Sequence, residues 1–398
     1  MDIKTEYNTK WKNIIYLTCL SIYVISFTLV SEAGLLKAVP VLKWEQYDML
    51  IRIIHIILAV KIFGDIVEEP EIIPLIGLTA AIGWLSYSHN PVELIVPALW
   101  FLCAGRSVNA RKTTQCLFWS YLFSFCLIQI LCAAGVLSFG KMVKSGHTKV
   151  SYSLGFSHPN MAGAAILQLV LLFWILRKGR LTVRHYLGII VITVATKIIT
   201  DCGTVVLLLI LLLICTVLYN IHGVTQFLYE KITLVRNLVI AAYVGVIGAT
   251  TAFFCLCKTT DFTALGTFGS RIIQSVKYYR YYGFSLWGQT LMYYKTNPEE
   301  TKKAGLYTLD NGYMYLLLGL GTILFLYFIF LQAGSMWWFF KRKRLDYIIV
   351  LGIYFVYGFL ETQVIRTSMN FTLFYLFGFM WEYYDSKRDN QRIPQSGQ

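Results

Sequence analysis

Charge is scarce in this sequence, and negative charge is scarcest. Only 14% of the 398 residues are charged, 35 basic against 21 acidic, where a soluble domain carries roughly a quarter. With 57% hydrophobic residues and a mean hydropathy of +0.60, the chain lacks the polar surface of a soluble enzyme, and that class is excluded. Proline is also sparse, at 8 residues, so the apolar runs of roughly 15 to 22 residues stay unbroken, a length that crosses a bilayer as helix. The nine cysteines form no C-x-x-C pair and no Cys/His cluster at zinc spacing, so neither a disulfide framework nor a structural metal is expected. There is no internal repeat and no low-complexity tract. No small-residue cleavage site follows the first apolar block, so a removed signal peptide is not expected and the first helix reads as an anchor. The net charge of +14 is spread between apolar blocks rather than along one face. Nucleic acid is therefore not the expected partner; the lipid bilayer and a phosphorylated substrate are.

What is present reads as a single all-α polytopic membrane domain over 1–398. Blocks bounded by charge, Pro or Gly predict about twelve membrane helices, near 14–31, 48–64, 72–87, 91–104, 114–135, 159–176, 186–200, 203–219, 237–256, 312–332, 346–360 and 369–383. Short segments that share a side with the N-terminus hold the basic clusters Arg177-Lys178-Gly179-Arg180 and Lys341-Arg342-Lys343-Arg344, which predicts both termini cytoplasmic. Asp65, Glu68, Glu69 and Glu71 form an acidic inner loop against that trend. The two sizeable outer loops are then 136–158, with His147, and the large extracellular loop 257–311. The polar tail 384–398 reads as disordered and cytoplasmic.

Four outer constellations hold residues that can do chemistry. In Gly155-Phe156-Ser157-His158-Pro159-Asn160-Met161-Ala162-Gly163, Pro159 fits a first helical turn, placing His158 at a helix N-terminus where an imidazole can move a proton. The bland alternative makes Pro159 and Asn160 a capping device and His158 an interfacial residue. Gly269-Ser270-Arg271 opens a stretch with apolar residues at spacings of three and four, cations Lys277 and Arg280, and many aromatics, among them Tyr282. It predicts an amphipathic interfacial helix, either a plain anchor or a platform for sugar faces. Thr308-Leu309-Asp310-Asn311-Gly312 leads into a membrane helix, and Asp310 or Asn311 is either an N-cap or a functional carboxylate needing a cationic partner. Glu361 and Arg366, between the last two helices, can pair with each other. Arg52 with His55, and Lys197 with Asp201 at i,i+4, sit near the same boundary.

Taken together, G-F-S-H-P-N-x-x-G, the S-R pair in the large loop, L-D-N-G-Y-x-Y-L-L-L-x-x-G and the late L-E-T-Q resemble the Wzy-type bacterial O-antigen, exopolysaccharide and capsule polymerases, over roughly 90–380. The chain is more distantly similar to O-antigen ligases. The resemblance implies a GT-C-like architecture and a multi-pass glycosyltransferase of the cell membrane, its active site facing outside. Such an enzyme joins undecaprenyl-diphosphate-linked oligosaccharide repeat units without a metal or other cofactor, alongside a flippase and a chain-length regulator of the same pathway. Relatives often carry an S-R pair at the turn before the eighth helix, where this chain reads Thr200-Asp201-Cys202-Gly203-Thr204; Lys197 or Arg52 would have to stand in for that arginine.

The expected chemistry follows from the leaving group. A lipid diphosphate departs readily if cations hold its charge, a task for Arg271, Arg280 and Arg366. The acceptor hydroxyl needs a base, for which His158 leads and Asp310 follows. Asn160, Arg52, Lys197 and Tyr282 complete the expected substrate-binding set. A ligase using the same site with another acceptor, and a lipid-linked oligosaccharide flippase, are the alternatives; absence of an inverted repeat and of paired broken helices speaks against the flippase.

Overall fold

The computed structural model describes residues 3–89, 96–106, 108–143, 150–259, 261–262, 265–292 and 298–392. Residues 91–95 of the expected span 91–104, His147, and the tail beyond Arg392 lie outside them. The chain is 79% helical, and among the described residues eight helices are long and apolar enough to cross a membrane. In chain order the helices are α1 (Ile3–Phe27), α2 (Leu35–Ala38), α3 (Trp44–Glu68), α4 (Ile73–His89), α5 (Val96–Ala104), α6 (Ala110–Ala133), α7 (Pro159–Leu176), α8 (Val183–Thr200), α9 (Gly203–Asn220), α10 (His222–Glu230), α11 (Ile232–Leu256), α12 (Gly266–Tyr282), α13 (Pro298–Lys303), α14 (Gly312–Tyr315), α15 (Thr322–Lys341), α16 (Leu345–Leu360) and α17 (Gly378–Arg392). A small antiparallel hairpin pairs β1 (Lys141–Val143) with β2 (Val150–Tyr152), Met142 opposite Ser151.

The chain forms two compact units, one of 1–74, 100–227 and 367–398, the other of 75–99 and 228–366. In the first, α1 packs on α3 and α6, α6 on α7, and α7 on both α8 and α9. Gly163 explains one close approach: a Cβ there would press on Cys202 and Val205 at the start of α9. The acidic 65–71 segment has a physical purpose in this unit. Lys61 is wholly buried and pairs with Asp65 at 2.7 Å; Lys12 bridges Asp65 (2.8 Å) and Glu68 (2.7 Å); Arg106 pairs with Glu69 and Asp385. The acids neutralise buried cations, which outweighs any preference of the loop for positive charge.

Two expected spans differ from the structure. Instead of one helix over 312–332, α14 runs into a π-helical turn, Leu316–Leu320, and stops at Gly321 (φ 97°) before α15 begins. The segment that follows α12 docks against this break and satisfies the backbone groups it frees. Gln289 N–H donates to Gly319 O (3.0 Å), Thr322 N–H to Ser285 O (2.9 Å) and Ile323 N–H to Leu286 O (3.2 Å), while Ser86 Oγ donates to Leu320 O (2.8 Å). Non-helical backbone persists in a membrane protein only with such internal partners. Gly288 and Gly321 approach so closely that a Cβ on either would strike the other's backbone neighbours. The expected span 369–383 is likewise no single helix: a buried 3₁₀ turn, Phe371–Tyr375, capped by Asn370, precedes α17. Asn370 and the hydroxyls around it offer local hydrogen bonds that compete with helix. Finally, α17 continues to Arg392 through the start of the tail expected to be disordered, its Asp385 held by Arg106.

Gly321→Ala is expected to lower unfolding stability in detergent by about 1–3 kcal/mol, because the new Cβ meets both a positive φ and a close backbone. Gly248→Ala, in an open position of α11, should produce no loss in the same measurement.

Candidate functional site

The second unit brings Arg271, Asp310 and Glu361 together. Arg271 lies near the start of α12, and its guanidinium donates to Glu361 Oε1 at 3.0 Å, with side-chain exposures of 17% and 4%. Glu361 caps the C-terminus of α16, whose last turn faces the Asp310-Asn311-Gly312 turn: a Cβ on Gly312 would meet Val364 and the carbonyls of Glu361 and Gly358. Of the two cap candidates, Asn311 is the cap. Its Oδ1 accepts from Met314 N–H at 3.0 Å, which frees Asp310 for another use. Burial pushes the Asp310 carboxyl above its ordinary range, and the neighbouring Arg271 charge pulls it partly back.

The segment 266–282 forms the expected helix, α12. Arg271, Gln274, Tyr278 and Tyr282 recur at spacings that share one face, and that face is occupied. Gln274 Oε1 accepts from Tyr307 N–H (2.9 Å), Tyr278 donates to Met292 O (2.9 Å), and Tyr282 Oη accepts from Met292 N–H (2.7 Å). Burial, with Tyr282 and Asp310 nearby, pushes the Tyr278 phenol up to about 12, so it stays a donor at neutral pH. Tyr282 thus holds the backbone of Met292. Phe268 (51% exposed), Tyr281 and Phe284 (both 56%) are rings that α12 and its end present outward. Arg280 stands nine residues from Arg271, about 180° around the helix, and its guanidinium donates to the carbonyls of Cys257 and Lys258 at the end of α11. It holds a helix C-terminus and does not join Arg271 in one cation cluster. Arg366 is half-buried and ends the 3₁₀ turn Thr362–Ile365, its N–H donating to Gln363 O.

The remaining candidates belong to the first unit. His158 is the N-cap of α7: Nδ1 accepts from Asn160 N–H at 3.1 Å, and Pro159 occupies the first turn. The motif does cap the helix, but the capping side chain is His158 rather than Asn160, which contributes only its backbone N–H. A ring whose Nδ1 accepts carries its proton on Nε2 when neutral, so Nε2 presents a donor. Gly155 (φ 84°) leads into this turn, pressed on Cys132 and Ile128. Lys197 pairs with Asp201 at 2.6 Å, as its i,i+4 spacing allows, and is 52% exposed; Arg52 is exposed on α3, while His55 stacks on Trp100 with centroids 5.2 Å apart.

One residue was missed by sequence reasoning. Glu32 is fully buried (0%) in a π-helical turn, Thr28–Glu32, that ends the first long helix. Its Oε1 accepts from Ser368 Oγ at 2.6 Å, and its backbone O accepts from Ser157 N–H at 2.7 Å, next to His158. Gln168 donates to Ser368 O (2.8 Å) and Tyr121 to Thr367 O (2.6 Å). A lone acid at the end of an apolar run was the available signal, and a π-turn at a buried carboxylate is a recurrent mark of functional sites.

Removing one partner of a buried ion pair strands the other. Arg271→Gln alone and Glu361→Gln alone should each cost roughly 3 kcal/mol of unfolding free energy, and the double variant markedly less than their sum, read as a double-mutant cycle by denaturant unfolding in detergent.

Compared with family models, with curated proteins and with solved structures, the chain finds no match in any of the three.

Proposed function

We propose that this chain is a membrane glycosyltransferase, a polysaccharide polymerase that joins undecaprenyl-diphosphate-linked repeat units at the outer face of the cell membrane. The observation that supports it best is the grouping of Arg271, Glu361 and Asp310 at the head of a broken helix, beside an aromatic helix. Membrane proteins tolerate such charges chiefly where they act on a substrate. In this reading Asp310 takes the proton of the acceptor hydroxyl as its oxygen forms the new bond to the anomeric carbon. The bond from that carbon to the lipid diphosphate breaks, and the departing phosphate carries away the electron pair. The Arg271 guanidinium stabilises the leaving charge.

Asp310 replaces His158 as the leading base for two physical reasons. Burial makes its carboxylate more basic than an exposed one, whereas His158 has Nδ1 committed to its cap and presents a proton on Nε2. Arg280, bound to carbonyls, and Lys197, paired with Asp201, leave the substrate-binding set. The helix break at Gly321 also favours a second reading, transport of a lipid-linked oligosaccharide, since broken helices line transport sites.

The test is purified protein with a lipid-diphosphate-linked repeat unit, products resolved by length. A ladder is expected, reduced on the order of 10²-fold or more by Asp310→Asn and little changed by Arg280→Gln. Translocation of labelled unit across liposomes without lengthening would replace the polymerase with the transporter. Activity should rise with pH as Asp310 loses its proton. Arg271→Gln removes the charge that lowers its pKa, so the acid limb of residual activity should move to higher pH. Stability carries the opposite sign: the folded chain holds this proton more tightly than the unfolded chain, so Asp310 lowers stability as pH climbs from the ordinary carboxyl range through its raised value. Asp310→Asn should lack that decline in pH-dependent unfolding.

A further inference from the structure

Within the first unit, α6, α7 and α8 enclose a crevice of about 550 Å³ whose walls are almost wholly apolar, among them Phe118, Phe125, Ile166, Phe173 and Ile192. Along α8 it extends from Arg184 to Thr200, sixteen residues or about 24 Å of helix. That length and the apolar lining suit an extended hydrocarbon chain. One end is cationic. Arg184 and His185 line it, and Arg177 donates to His185 Nε2 at 3.1 Å while lying over the Phe173 ring, 5.7 Å from its centroid. Among the described residues no carboxylate pairs with Arg177 or Arg184. The neighbouring face of α8 is open and apolar, with Leu187, Val191 and Val194 each more than half exposed, as suits a surface against lipid.

We infer that this crevice binds one lipid of the bilayer, a single hydrocarbon tail lying between α6, α7 and α8 and an anionic phosphate headgroup held by Arg177 and Arg184. The charge decides the class of lipid. An apolar slot alone accepts any tail, but two guanidiniums without carboxylate partners favour a headgroup with net negative charge over a zwitterionic one. Gly188 lines the crevice, and a Cβ at that position would meet nothing within 4 Å, so a larger side chain can occupy the tail's path without displacing a neighbour. This site is separate from the Arg271 grouping and does not depend on what that grouping catalyses.

The experiment places the full-length protein in nanodiscs of equal phosphatidylglycerol and phosphatidylcholine, transfers it to mild detergent and counts the lipids retained per chain by mass spectrometry. Wild type should retain one lipid, with phosphatidylglycerol preferred on the order of tenfold. Arg177→Gln with Arg184→Gln should bring that preference close to one. Gly188→Phe should abolish retention with helical content unchanged; if that variant loses helix, Ala195→Phe, on the same wall, provides the plug. Equal retention of both lipids by wild type, or retention and preference unaltered in the plugged variant, would overturn the inference.

Discussion

Backbone groups removed from water must find partners inside the protein, and in a chain so poor in polar side chains that obligation shapes every irregular segment. At the break before α15, four backbone groups that a continuous helix would have used internally are satisfied by 285–289 and by Ser86. The same rule explains why Asn311 and His158 cap the helices they precede, and why Tyr121 and Gln168 spend their polar ends on the carbonyls of Thr367 and Ser368. Regular helix is the default because it satisfies itself. Each departure from it therefore marks a place where the chain has assigned specific side chains to the backbone.

These departures coincide with the ionisable groups. Glu32 ends a π-turn, Asp310 stands one turn before another, and Glu361 terminates α16 as the chain enters a 3₁₀ turn. Only Asp310 precedes a helix N-terminus, whose N–H groups favour an anion; Glu32 and Glu361 lie at C-terminal ends and are held instead by Ser368 and Arg271. Neutralisation then governs the rest: Arg271 with Glu361 in one unit, and Lys12, Lys61 and Arg106 with Asp65, Glu68, Glu69 and Asp385 in the other. Buried pairs of this kind are costly to assemble relative to apolar packing.

The sequence alone determined that the protein is helical and membrane-embedded, because hydrophobic run length reports directly on burial in lipid. It located α7, α8, α9 and α11 within a few residues, and it placed a helix at α12 from spacing alone. Pro159 marked the start of α7, and the i,i+4 pair Lys197 and Asp201 was readable because both partners lie on one helix. Local geometry is written in local sequence.

Tertiary structure decided the rest. Hydropathy cannot register a break whose cause is a distant segment: Gly321 interrupts a run of apolar residues only because Gly288 arrives against it. Nor can it identify partners far apart in sequence: Glu361 pairs with Arg271, ninety residues away. Arg280 and Tyr282 looked like substrate groups until the carbonyls of α11 and the backbone of Met292 claimed them. Glu32 was invisible because its meaning comes from Ser157 and Ser368, which only the fold brings to it. Composition and periodicity report each segment's environment; which side chain meets which is a property of packing, and the chemistry of this protein resides there.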